Sequence, residues 1–202
     1  MYLDIDIGFT SIIILVIILV IWFLIGKRMN YKKEKEIWSV LSSLIKKYFD
    51  VKKVDYRGFG SSGYQLLVSS PGKYFDKYEI TVIMMDRENL IHYIYQKVKG
   101  VRDLIIIKAD FKGGFPYHLD ISHLKRRRIK GTLYGDYPII YKGDSRGDQR
   151  ISNAVDRLSD YLNDFISLSL SKDSPNMILT VYYNPESIKD VIKSTLELSK
   201  IR

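Results

Sequence analysis

Residues Gly8 to Gly26 read GFTSIIILVIILVIWFLIG, a run without a charged side chain. At about 1.5 Å of rise per residue, a helix over this run extends roughly 28 Å, close to the thickness of a bilayer's hydrocarbon core. The stretch predicts a transmembrane helix, and the rest of the chain is organised by it. Asp4 and Asp6 precede the run, whereas Lys27, Arg28, Lys32, Lys33 and Lys35 come closely after it. Lys and Arg collect on the cytoplasmic side of a span. The expected topology is therefore a short outside N-terminus (1–7), a transmembrane helix (8–26) and a cytoplasmic domain (27–202), single-pass in the cell membrane. A cleavable signal peptide carries a basic leader, a shorter apolar stretch and a small-residue cleavage site. Here the leader is acidic and the basic residues come after, so the helix reads as uncleaved. Trp22 lies near the cytoplasmic end, where an aromatic belt residue rests at head-group depth, and Phe23 reads as lipid-facing.

The chain beyond the span is long enough for one domain with a real core. The apolar fraction of 46% and charged fraction of 27% are those of a folded chain. The chain has no cysteine, which excludes a disulfide scaffold and thiolate metal sites. A net charge of +9 points to an anionic neighbour, either lipid head groups or nucleic acid.

The pattern predicts an α+β domain, a mixed or antiparallel sheet packed by helices. Ile37, Trp38, Leu41, Leu44, Ile45 and Tyr48 fall at helical spacing and predict a helix from Glu34 to Phe49. Tyr64–Ser70 and Tyr78–Met85 read as strands. Asp86 is placed to cap a helix running to about Lys99, with Leu90, Ile91, Ile94, Tyr95 and Val98 on one side. Further strands are expected over Asp103–Phe111, Tyr117–Ile121, part of Gly131–Lys142 and Met177–Tyr183. A long amphipathic helix is expected over Asp148–Leu170. Asn184-Pro185 reads as the start of a last helix ending near Ser199.

Signals for chemistry are few. Gly58, Gly60 and Gly63 match the dinucleotide fingerprint GxGxxG, but Gly63 opens a strand where the fingerprint requires a helix, so the glycines read as a loop. His118 and His123, five apart, would need carboxylates such as Asp120 to hold a metal, and lone histidines are ordinarily polar surface groups. There is no Walker motif, HExxH or nucleophile elbow. The expectation is a protein without enzymatic activity, cofactor or metal. Lys125, Arg126, Arg127, Arg128 and Lys130 form a compact cationic run that suits phosphates of RNA or anionic lipid head groups, and reads equally as a solvated loop.

In the order of its elements the chain resembles the calumin family, the coiled-coil-domain subunit of the PAT complex, as a short prokaryotic relative. Three passages carry the likeness. Leu24-Ile25-Gly26-Lys27 ends the span ahead of the Trp38 helix. Asp86-Arg87-Glu88-Asn89-Leu90-Ile91 leads through a helix and Val101-Arg102-Asp103 into the strand Leu104-Ile105-Ile106-Ile107-Lys108. The strand Ile178 to Tyr183 is followed by its helix. The resemblance implies a non-enzymatic role in membrane-protein biogenesis, as an intramembrane chaperone or translocon-associated subunit. Its implied partners are a small multi-spanning Asterix-like protein, the Sec translocon and the ribosome or its rRNA, with Lys125 to Lys130 meeting an anionic surface. The family's long charged coiled coil and acidic luminal segment have no counterpart here, so ribosome contacts of the former and calcium binding of the latter are not implied. The other function class compatible with the residues is a membrane-tethered module binding RNA or a protein unrelated to the translocon.

Overall fold

The computed structural model describes residues 7–49, 51, 53–69, 72–116, 118–123, 132–133, 139–143, 156 and 161–200. The expected span and the expected domain helix are one element. Helix α1 (Ile7–Phe49) runs without a break from the apolar stretch into the core. Its character changes along its length. The apolar half is exposed all round from Ile12 to Ile21, and it is long and apolar enough to cross a membrane. Beyond it, Ile37, Leu41, Ile45 and Phe49 recur every fourth residue and are buried on a sheet.

Among the described residues the sheet has nine strands: β1 (Val54–Gly58), β2 (Gly63–Val68), β3 (Phe75–Ile83), β4 (Leu104–Phe111), β5 (Leu119–His123), β6 (Thr132–Leu133), β7 (Ile139–Gly143), β8 (Phe165–Leu170) and β9 (Met177–Tyr182). Their order is β1-β2-β3-β4-β9-β8-β5-β7-β6, and every strand pair is antiparallel. Among the described residues, α2 (Leu90–Val98) joins β3 to β4 and α3 (Ile188–Leu198) follows β9.

One face of the sheet carries the core. Tyr78, Ile80 and Val82 on β3, Ile105 and Ile107 on β4, and Leu179 and Val181 on β9 alternate inward and are buried. Tyr78 touches both covering helices, its ring 4.5 Å from that of Phe49 on α1 and its hydroxyl 3.0 Å from Thr195 Oγ1 on α3. Helices α1 and α3 therefore share a face. On the other face Glu79 lies between Lys77 and Lys108, at 3.6 and 4.0 Å.

Several expected elements are corrected. Residues 165–170 form β8, not the end of a long helix, and most of the remainder of the expected helix, 148–160, lies outside the described residues. Between its partners β9 and β5, Phe165, Leu168 and Leu170 point to the core every second or third residue. The stretch Gly131–Lys142 contributes two strands where one was expected. The edge strand β1 was not anticipated, since the alternation in VDYRG spans only four residues before Gly58. Asn89 caps α2, its side chain accepting the His92 N–H at 3.0 Å, while Asp86 closes the turn before it. Helix α3 starts at Ile188, after a Pro185–Ser187 turn, and not at Pro185.

Candidate functional site

The β-ladders align Ile83 with Leu104, and Leu104 with Tyr182. This end of the sheet, where β3 gives way to α2 and back to β4, abuts the apolar half of α1. The contact is made between two segments far apart in sequence, Trp22 and Gly26 on α1 and Arg87 and Tyr93 around the start of α2. Gly26 approaches the backbone of Arg87 so closely that a Cβ built on it would sit 2.0 Å from the Arg87 carbonyl oxygen. Glycine is the residue that permits such an approach. One turn earlier, the Trp22 indole N–H donates to the same carbonyl at 3.1 Å, and its ring lies 5.6 Å from that of Tyr93 on α2.

The Arg87 side chain locks the arrangement. Its Nη2 donates to both carboxylate oxygens of Asp103, at 2.9 and 2.8 Å, and its Nη1 donates to Asn30 Oδ1 on α1 at 3.0 Å. Asp103 Oδ1 also accepts the Met85 N–H at 2.8 Å. All three side chains are buried, so each charge is offset by directed hydrogen bonds, the condition for a tolerable buried ion pair. Tyr183, just after β9, joins the same cluster by donating its N–H to the Asp103 carbonyl at 2.8 Å.

A second carboxylate organises the neighbouring corner. Asp164, buried, accepts hydrogen bonds from Arg102 Nη1 at 2.7 Å, Asn184 Nδ2 at 2.7 Å and Ser187 Oγ at 2.9 Å, tying the start of β8 to the approach to α3. Arg102 also stacks over Tyr182, 4.2 Å from its centroid.

Below the junction, α1 presents Tyr31, Glu34, Lys35 and Trp38 along one side, and Tyr56 of β1 closes on them to form an open groove of about 310 Å³. The Tyr56 hydroxyl donates to Glu34, and its ring lies between Trp38 and Tyr64, 5.6 and 5.3 Å away. Burial and then the Glu34 carboxylate push the Tyr56 phenol up to about 12. Tyr183 is pushed up to about 12 by burial and then by Glu36. Burial also raises Tyr64, whose hydroxyl makes no hydrogen bond. For Asp86, burial acts upward, but hydrogen bonds from His92 and from the N–H groups of Asn89 and Glu88 outweigh it and hold the carboxyl low.

The residues expected to flank a membrane sort as follows. Trp22 faces α2 and not open lipid alone. Lys27 borders a hollow with Phe23, Glu88 and Gly60, and Arg28 and Lys32 are exposed. Lys33 pairs with Glu36 at 2.8 Å and lies over the Tyr183 ring. Lys125, Arg126, Arg127, Arg128 and Lys130 lie outside the described residues. Gly58 closes β1 and Gly63 opens β2, so the GxGxxG glycines occupy a hairpin with a strand after it. His118 pairs with Asp120 at 2.8 Å and His123 is buried; among the described residues no three His, Asp or Glu side chains gather as a metal site.

The junction itself escaped the sequence reading. Its signals were an Arg and an Asp flanking one amphipathic helix, and a Gly one turn after a Trp. The chain matches no protein-family model and none of the curated proteins.

Proposed function

We propose that the chain is a single-pass protein of the cell membrane, its N-terminus outside and its α+β domain in the cytoplasm, and that it serves membrane-protein biogenesis without catalysis. In this reading it pairs with a small multi-spanning Asterix-like protein and works beside the Sec translocon and ribosome. The observation that carries it is the one-piece helix α1, fastened to the domain by Gly26, Asn30, Arg87 and Asp103. A stiff junction fixes the height and rotation of a domain relative to its anchor. That suits a subunit that must present a surface to neighbouring complexes, and adds nothing to a domain that samples the cytoplasm on a loose tether. The convergence of the family-like passages on this junction supports the same reading. The span offers Ile, Leu and Val from Ile12 to Val20 with no small-xxx-small seam. Shielding of a client's polar groups therefore falls to the membrane partner, since an unpartnered polar group in hydrocarbon is costly.

Crosslinking and affinity capture from native membranes test the proposal. The expected result is translocon subunits together with a small multi-spanning protein. Recovery of RNA or a soluble complex in their place would favour the tethered binding module. Charge reversal at Arg126, Arg127 and Arg128 should weaken the translocon or ribosome association in a salt-dependent way and spare the membrane partner, because screening acts on exposed charge and not on apolar helix packing.

A further inference from the structure

Helix α2 is inside out relative to the domain it belongs to. Ile91, Ile94, Tyr95 and Val98 lie at i, i+3, i+4 and i+7, the spacing of a core stripe. All four face outward, Ile91 74% and Val98 80% exposed, and no residue of the helix is buried. The side turned toward the protein carries Tyr93 against Trp22, and Gln96, which accepts the Asp86 N–H at 3.0 Å. We propose that α2 is an interfacial helix whose apolar stripe is seated in the bilayer that α1 crosses. The inference rests on the reading of α1 as a span.

The position of α2 identifies lipid as the occupant. Leu90 and Ile91 share a hollow with Leu19 and Phe23 of α1. Leu19 lies seven residues before Gly26, about 10 Å back along the helix toward its apolar centre. The start of α2 therefore stands beside the last two turns of the apolar run, and placing that run in a membrane carries α2 to the membrane surface with it. A water-facing surface at that level has no place to be. The rim matches the assignment. Lys97 and Lys99 flank the stripe, where their stems can lie along apolar surface and their charges reach anionic head groups. Phe59 in the β1–β2 turn, Ile83 at the end of β3 and Val101 after α2 are exposed at the same end of the sheet. Outside the apolar run, Tyr31 and Tyr56 are the other exposed large apolar side chains among the described residues.

Because the chain lacks cysteine, single labels can be placed at will. The full chain is reconstituted in phosphatidylcholine vesicles doped with phosphatidylglycerol. An environment-sensitive fluorophore is attached at I17C, I94C, V98C or K172C, and quenching by nitroxides at defined acyl-chain depths is read. An interfacial helix sits about 5–10 Å into the head-group and acyl boundary. The I94C and V98C labels should then be quenched by shallow nitroxides, I17C by deep ones and K172C by neither. Quenching at I17C without quenching at I94C and V98C would overturn the interfacial helix and leave the span standing. Absence of quenching at I17C would overturn both. In the doubly substituted I91D/V98D chain, with retention of the fold checked by circular dichroism, the I94C label should lose its shallow quenching. Retention of that quenching would also count against the proposal.

Discussion

Arg87 and Asp103 face each other as a two-pronged ion pair, Nη2 at 2.9 Å from Oδ1 and 2.8 Å from Oδ2, closed off from solvent at the two ends of the segment that carries α2. The same guanidinium reaches Asn30 on α1, so one side chain holds together the sheet, the interfacial segment and the long helix.

Removing one member leaves the other buried and uncompensated. Arg87→Ala or Asp103→Ala should each lower the unfolding free energy by about 3–5 kcal/mol. Replacing the two together by Met and Leu should recover most of that loss, as apolar packing substitutes for the pair. Denaturant unfolding of the full chain in detergent, followed by circular dichroism, measures both. Single-variant losses below about 1 kcal/mol would assign the pair the weight of a surface salt bridge.

Gly26 gives a prediction of opposite sign to helix propensity. Alanine in a helix interior is ordinarily favoured over glycine by about 1 kcal/mol. Here the added Cβ meets backbone at 2.0 Å and cannot be accommodated by a side-chain rotation. Gly26→Ala should therefore destabilise the chain by about 1–3 kcal/mol, the cost of overpacking, and move Trp22 off the Arg87 carbonyl. In a Trp38→Phe background Trp22 is the remaining tryptophan, and its emission should shift. An unchanged spectrum and midpoint would show that α1 is not pressed against Arg87.

The Tyr56 phenol supplies a pH dependence. Its folded value is raised from 10.0 to about 12, by burial first and Glu34 second. The unfolded chain therefore gives up this proton first. The corresponding stability is fully present below about pH 10 and is lost as pH rises toward 12. Difference titration of tyrosinate absorbance between the native chain and Tyr56→Phe reports the value. Glu34→Gln should bring it part of the way back to 10, because the larger cause, burial, remains. A full return would make Glu34 the dominant cause.

Orientation can be read directly. If Lys27, Arg28, Lys32 and Lys33 mark the cytoplasmic side, as proposed, protease added to sealed inside-out vesicles should digest the domain, and intact cells should protect it. Protection in inside-out vesicles would reverse the topology.

Much of the architecture follows from periodicity alone. The uncharged run before Lys27 names an element, and the fourfold spacing of Ile37, Leu41 and Ile45 and the alternation in Tyr78–Val82 and Ile105–Ala109 each name an element and its buried side. Those signals are local, and the structure agrees with them. Around Asp164 the local signal misled. Leu158, Leu162, Phe165 and Ile166 continue a helical spacing, while Asn163-Asp164 is turn chemistry whose partners, Arg102, Asn184 and Ser187, lie far along the chain.

Helix α2 marks where sequence stops and tertiary structure takes over. Its stripe of Ile91, Ile94, Tyr95 and Val98 was legible, because helical spacing fixes where apolar side chains stand relative to one another. Spacing says nothing about what lies opposite them, and a stripe made for a core and one made for a membrane surface are written alike. The direction was decided by contacts across long separations: Trp22 and Gly26 against the Arg87 backbone, and Arg87 against Asn30. These turn the polar side of α2 toward α1 and its apolar side away from the protein. The sequence by itself determined that this chain has a long apolar helix and a sheet packed by helices, and left open whether that sheet is mixed or antiparallel. Only the tertiary structure decided that the two are one rigid body, because a buried ion pair and a close backbone approach exist only once distant residues have been brought together.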